Sequence, residues 1–101
     1  MLKNNIQVPS IKIEEFCHKW KIKEFSLFGS VLRADFRPES DVDVMVSFDD
    51  KAPWDLFDLV EMIEELKVLF GRNIDLVEKG TIRNPFRLHA IMTHSEVLYA
   101  A

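Results

Sequence analysis

One cysteine, one tyrosine and three glycines in 101 residues exclude several ways of building a small protein. Cys17 alone cannot close an intrachain bridge, so the fold must rest on a packed core, and a reducing cytoplasm is the expected setting. No basic-then-apolar stretch near the start resembles a leader peptide, and no apolar run approaches the roughly 20 residues of a membrane span. Excess positive charge is missing as well: 13 Lys and Arg against 17 Asp and Glu give a formal net charge of -4. That balance argues against direct, sequence-independent nucleic-acid binding, which draws on clustered cations. Neither Cys17 nor the three histidines form a convincing zinc set.

What the chain does have is alternation, without internal repeats or low-complexity tracts. Its length suits a single domain over residues 1–101, and the 48% apolar content supplies a core. Ser10 is expected to cap a first helix in which Ile13, Phe16, Cys17 and Trp20 form one apolar stripe. Residues 24–28, Glu-Phe-Ser-Leu-Phe, predict a short strand closing in a tight turn at Gly29, with a short helix from Ser30 to Arg33 beyond it. Arg37-Pro38-Glu39-Ser40 predicts a loop. From Asp41 to Phe48, Val42, Val44, Val46 and Phe48 alternate with Asp41, Asp43, Met45 and Ser47, the period of a strand whose valines face the core.

Pro53 suits the start of the longest helix, along which Leu56, Leu59, Val60, Ile63, Leu66 and Phe70 trace a stripe that Gly71 ends. Asn73 to Glu78 predict a third strand, Ile74 and Leu76 on one face, Asp75 and Val77 on the other. Asn84-Pro85 offers a cap and first turn for a last helix through Met92, and Glu96 to Tyr99 a closing edge strand. Trp54, Phe86 and Tyr99 suit core or interface equally.

Three carboxylates interrupt these apolar strands. Side chains two apart share a face, so Asp41 and Asp43 would have Cα atoms roughly 6.6 Å apart, a gap one divalent ion can bridge. Oxygen-only ligation favours magnesium or manganese over zinc, and magnesium keeps positions open for water and phosphate. Asp75 is a third acid in apolar surroundings, where an unpaired charge is costly. If its strand neighbours residues 41–48, it joins the pair around a second ion or takes a proton from an attacking hydroxyl. Alone, Asp41-Val42-Asp43 reads equally well as the acidic face of an edge strand, and Asp75 as an exposed acid paired with Arg72.

Gly29-Ser30 shifts that balance. Glycine lets the backbone approach a phosphate, the amides opening the next helix are ready donors, and Ser30 adds a hydroxyl. Arg33 lies one helical step on, where it can reach a phosphate oxygen or simply solvate a helix. Ten residues separate Ser30 from Asp41, enough chain to loop back. His18, His89 and His94 show no acid or nucleophile partner in the pattern.

In these residues the chain resembles the minimal nucleotidyltransferases, small members of the DNA polymerase beta superfamily. The likeness is carried by Gly29-Ser30-Val31-Leu32-Arg33-Ala34-Asp35, by Ser40-Asp41-Val42-Asp43-Val44-Met45-Val46 and by Asn73-Ile74-Asp75-Leu76-Val77. Ala34 departs from the pattern, which often has glycine after the arginine, but removes no functional group. The resemblance implies an α/β (α+β) nucleotidyltransferase fold, a mixed sheet of about four strands flanked by helices. It implies that Gly29 and Ser30, with Arg33 beside them, hold a nucleoside triphosphate, ATP by default. Asp41 and Asp43 would ligate two Mg2+ or Mn2+ ions, and Asp75 would complete the metal site and serve as base.

The implied reaction is attack of an acceptor oxygen on the α-phosphate, with pyrophosphate leaving. Such proteins commonly pair with a HEPN-domain ribonuclease as toxin and antitoxin, which implies transfer of AMP to a tyrosine of that toxin within an oligomeric complex. The acidic surface suits a basic partner. Two other readings remain: an antitoxin that neutralises its partner by association alone, and transfer of a nucleotide to a small molecule.

Overall fold

The computed structural model describes residues 8–29, 41–49 and 51–101, and in it helix and strand alternate as the pattern predicts. The first helix, α1 (Ser10–Lys19), buries Ile13, Phe16 and Cys17, with Trp20 buried just past its end. Ser10 is not its cap. Pro9 holds the cap position without a side-chain bond, and its carbonyl accepts the Lys12 and Ile13 amides at 3.0 and 3.4 Å. Proline's fixed φ, here -57°, aims the chain into the helix without any capping side chain. Burial pushes the Cys17 thiol up to about 12, so it packs as a neutral apolar group.

Strand β1 (Ile22–Phe28) begins before the aromatic run that signals it. A register shift between Ile22 and Glu24 resets the alternation, so Ile22, Phe25 and Leu27 reach one core despite their uneven spacing. Strand β2 (Val42–Phe48) runs antiparallel to β1 and buries Val42, Val44 and Val46 as expected. Strand β3 (Ile74–Glu78) lies parallel to β2, and β4 (Ser95–Ala100) antiparallel to β1, giving a four-stranded mixed sheet in the order β3-β2-β1-β4. The expected mixed sheet, with its closing edge strand, stands.

Parallel neighbours need a crossover, and the helix α2 (Leu56–Phe70) between β2 and β3 provides it. It departs from expectation twice. The helix starts at Leu56, not Pro53, because Asp55 and Asp58 form a reciprocal capping box: each carboxylate accepts the other's amide at 3.0 Å. Its buried side is Met62, Leu66 and Phe70, whereas Leu56 is 72% and Val60 51% exposed. Leu66 and Phe70 of the expected stripe are buried and Leu59 packs against the core, so the stripe is rotated toward Met62 and not replaced. Gly71 ends the helix at φ 67°, as predicted.

Helices α1 and α2 cover one sheet face around a core of Phe25, Leu27, Val44 and Met62. A polar and aromatic tie fastens them together. Trp20 donates through Nε1 to Glu65 at 3.1 Å, Lys19 pairs with Glu65 at 2.7 Å, and Trp54 donates to the Trp20 carbonyl at 2.6 Å. Trp54 therefore belongs to the core margin, its ring edge-on to Trp20 at 5.0 Å. The last helix, α3 (Pro85–Thr93), is capped by Asn84, whose side chain accepts the Phe86 and Arg87 amides. It covers the opposite face, where Ile91 packs with Phe28 and Met45. Phe86 is exposed and Tyr99 half-buried against the core. The short helix expected at Ser30 to Arg33 and the loop at Arg37 to Ser40 lie outside the described residues.

The Met62 side of α2 carries a stability prediction. Met62→Ala should cost about 2–5 kcal/mol, while Val60→Ala should stay within about 0.5 kcal/mol of wild type. Urea unfolding midpoints of the two variants check it, and equal losses would contradict the rotation of the stripe toward Met62.

Candidate active site

Burial of three alternate valines fixes the face that Asp43 must take. With Val42, Val44 and Val46 committed to the α1–α2 core, Asp43 emerges on the α3 face of β2. The parallel register pairs Asp43 with Asp75, so the neighbouring of these strands, expected only conditionally, is real. Cross-strand partners project from the same face. The two carboxyl groups therefore face each other, and Asp75 is among the groups that hold the Asp43 carboxyl above its usual range.

Asp43 bears the cost of this arrangement. Partial burial holds its carboxyl above the usual range, the charges of Asp75 and Asp41 raise it further, and the bond to Asp75 adds to both. Asp41, just before β2, is exposed, as is Asp75. The partly buried acid thus sits between two that reach solvent.

The Gly29 turn abuts this pair. Phe28, the last residue of β1, is the cross-strand partner of Asp43. Gly29 follows at φ 76°, a left-handed conformation that side chains disfavour, and a Cβ there would overlap the Asp43 carboxylate. Conformation and space both require glycine. Ser30 and Arg33, the other expected nucleotide-binding residues, lie outside the described residues. Phe28 itself, packed with Met45 and Ile91, floors the site. Its role was not legible from spacing, because no local pattern says which strand pairs with which.

The acids suit a hard divalent cation, because close carboxylates repel until a cation neutralises them. Among the described residues no three His, Cys, Asp or Glu side chains form a group that could hold a metal ion by themselves. Magnesium does not need one. It is commonly held by one or two carboxylates, with water and substrate phosphates completing its shell. The adjacent pair Asp43 and Asp75 suits an open site of that kind, and Asp41, the third expected ligand, does not form a group of three with them.

Residues 10–98 match the family model described as the nucleotidyltransferase domain. The chain belongs to that family. A Methanocaldococcus jannaschii protein, MJ1379, provisionally named as a protein adenylyltransferase, is 40% identical over 68 residues, 67% of this chain and 68% of its own length. Among solved structures, a toxin-antitoxin crystal structure with AMP-PNP superposes with a TM-score of 0.74 at 21% identity, covering 93% of this chain and 75% of that one. The structure of a tri-AMPylated Shewanella oneidensis HEPN toxin in complex with its MNT antitoxin gives a TM-score of 0.66 at 21% identity, over 91% of this chain and 70% of the other. These likenesses show a shared fold for the nucleotidyltransferase domain described here.

The strained position of Asp43 has a measurable sign. A carboxyl raised on folding leaves stability intact below the ordinary carboxylate range, and takes stability away as pH rises through its folded value. In metal-free protein at pH 7, Asp43→Asn should therefore melt higher than wild type. The gap should close as the buffer is taken down through the carboxylate range. Thermal melts in chelator across that range check this, and a variant no more stable at neutral pH would contradict it.

Proposed function

We propose that this nucleotidyltransferase domain transfers AMP from ATP to a tyrosine hydroxyl of a HEPN-domain toxin, and acts thereby as its antitoxin. The observation that carries the reading is the contact of Asp43 with Asp75 on neighbouring strands, with Gly29 pressed against the same carboxylate. That geometry suits a metal-nucleotide site. The name of the M. jannaschii relative supports protein as the acceptor class, and the fold shared with toxin-antitoxin chains supports the partner.

Each residue then has a task. Gly29 leaves room for the triphosphate, with Ser30 and Arg33 donating to it. Asp41 and Asp43 would hold Mg2+ ions, Asp75 completing the set, and the ions when bound supply positive charge to the phosphate oxygens. The acceptor oxygen forms its bond to the α-phosphorus while the bond from that phosphorus to the bridging oxygen breaks, and pyrophosphate leaves with the electron pair. Asp75 takes the hydroxyl proton. It stands exposed on β3, an edge strand of the sheet, where a hydroxyl carried by another protein can approach from the side.

The AMP so added brings bulk and negative charge to the toxin, enough to obstruct a nuclease site that must itself receive phosphate. No helix among the described residues is long and apolar enough to cross a membrane, and the cytoplasmic setting expected from a lone cysteine is part of the same proposal.

Mixing the chain with the protein encoded beside it, ATP and magnesium, then weighing both intact, tests the reading. The partner should gain the mass of one or more AMP groups. Asp43→Asn should abolish that gain while remaining folded; undiminished modification by the variant would sink the mechanism. A stable complex without any mass gain would favour neutralisation by association alone.

A further inference from the structure

Three lysines of an acidic chain meet at the end of the sheet away from the acids. β1 closes at Phe28 opposite Asp43, but it opens at Ile22 opposite Phe48, so the two ends of one strand pairing carry different chemistry. Beside Ile22 lies an open cleft of about 430 Å3, with His18, Lys21, Lys23, Asp49, Lys51 and Tyr99 in its walls. Small-molecule sites typically span about 300–1,000 Å3. Although the whole chain has a net charge of -4, this cleft gathers three lysines around Asp49.

Backbone bonds build the cleft. The Asp49 amide donates to the Lys21 carbonyl and the Ala101 amide to the Lys23 carbonyl, each at 2.8 Å, which ties the ends of β2 and β4 to the start of β1. The Asp49 carboxylate accepts the Lys51 amide at 3.1 Å, so that acid is engaged in its own turn. His18 and Tyr99 stand edge-on with ring centres 5.8 Å apart and form an aromatic wall; Cys17 and Ile22, both buried, give an apolar floor. Ammonium groups only donate, so the cleft suits an acceptor-rich anion that also carries a ring.

Lys21 supplies an independent sign. Among the described residues it is, glycines aside, the one with positive φ, at 56°. A side chain disfavours that left-handed conformation, and at Gly29 and Gly71 the chain meets the same demand with glycine. A turn alone needs no side chain at this position, whereas a ligand does. Lysine is an ordinary phosphate ligand, a compact charge with three donors on a flexible stem.

We propose that this cleft binds a small organic phosphate of the nucleoside monophosphate class, its phosphate held by Lys21 and Lys51 and its ring against Tyr99 and His18. The site lies at the other end of β1 from Gly29 and requires no divalent ion. It therefore stands or falls separately from the transfer reaction proposed above.

Titrating the isotope-labelled chain with AMP in chelator, followed by amide NMR shifts, tests the proposal. The signals of Lys21, Asp49 and Tyr99 should move saturably while those of Phe28, Gly29 and Asp43 stay, and adenosine should move none of them. Lys51→Ala should weaken AMP about two- to fivefold, the worth of one ion contact facing solvent. Lys21→Gly should weaken it similarly yet melt at or above wild type, because glycine relieves the left-handed strain. Lys12→Ala, exposed on α1 and outside the cleft, should bind like wild type. Shifts at Gly29 without shifts at Lys21 overturn the proposal, as does equal weakening by Lys51→Ala and Lys12→Ala, which would signify diffuse charge. Adenosine binding as tightly as AMP would remove the phosphate from the recognition, and an oligonucleotide binding more tightly at Lys21 would replace the small molecule; either result also overturns it.

Discussion

Two like-charged side chains, Asp43 and Asp75, are held in contact on adjacent strands, and most of the architecture is what keeps them there. Left to themselves the two carboxylates would separate and hydrate. The parallel pairing of β2 with β3 forbids it, because each backbone is tied into the sheet and each strand has its opposite face committed to a core. The free energy that offsets the repulsion comes from apolar burial: Val42, Val44, Val46, Met62 and Leu66 are all almost wholly removed from water. At about 25 cal/mol per Å2 of buried apolar surface, such a set outweighs one raised carboxyl.

This explains how one sheet can bring a few separated residues together. The site needs few residues if the sheet does the positioning. Alternation decides the face, register decides the neighbour, and the left-handed Gly29 brings the chain over Asp43 without a side chain in the way. Each device acts through the backbone, so none depends on a long side chain finding one rotamer. The helices contribute from behind: α2 makes the crossover that parallel pairing requires, and α3 seals the opposite face around Met45 just beyond the acids.

The acid positions, the glycine turn and the order of elements were legible in the sequence because each rests on a local rule: period two in a strand, left-handed turns at glycine, asparagine before proline at a helix start. Where several local rules applied, the structure chose among them. Pro53 and Asp55 both signal a helix start, and the reciprocal bonds of Asp55 and Asp58 won. Val60 and Met62 lie on different sides of α2, and a stripe count cannot tell them apart, since only the sheet beneath decides which side is buried. The bulge at the start of β1 hid two residues of strand by breaking the alternation that would have revealed them. Phe28 left no trace at all, because its importance comes from the pairing of β1 with β2, which no local pattern specifies.

The asymmetry of the sheet bears on what kind of acceptor the site can use. β1 and β2 are interior strands, and the acid on β2 is accordingly part-buried, whereas Asp75 stands on the outermost strand and is exposed. On the proposed reading, a nucleotide phosphate reaches the interior acid and the acceptor hydroxyl need only reach the edge. An acceptor can therefore arrive as part of a large, rigid body resting against β3, with no requirement to thread into a cavity. That access is compatible with the proposed protein acceptor.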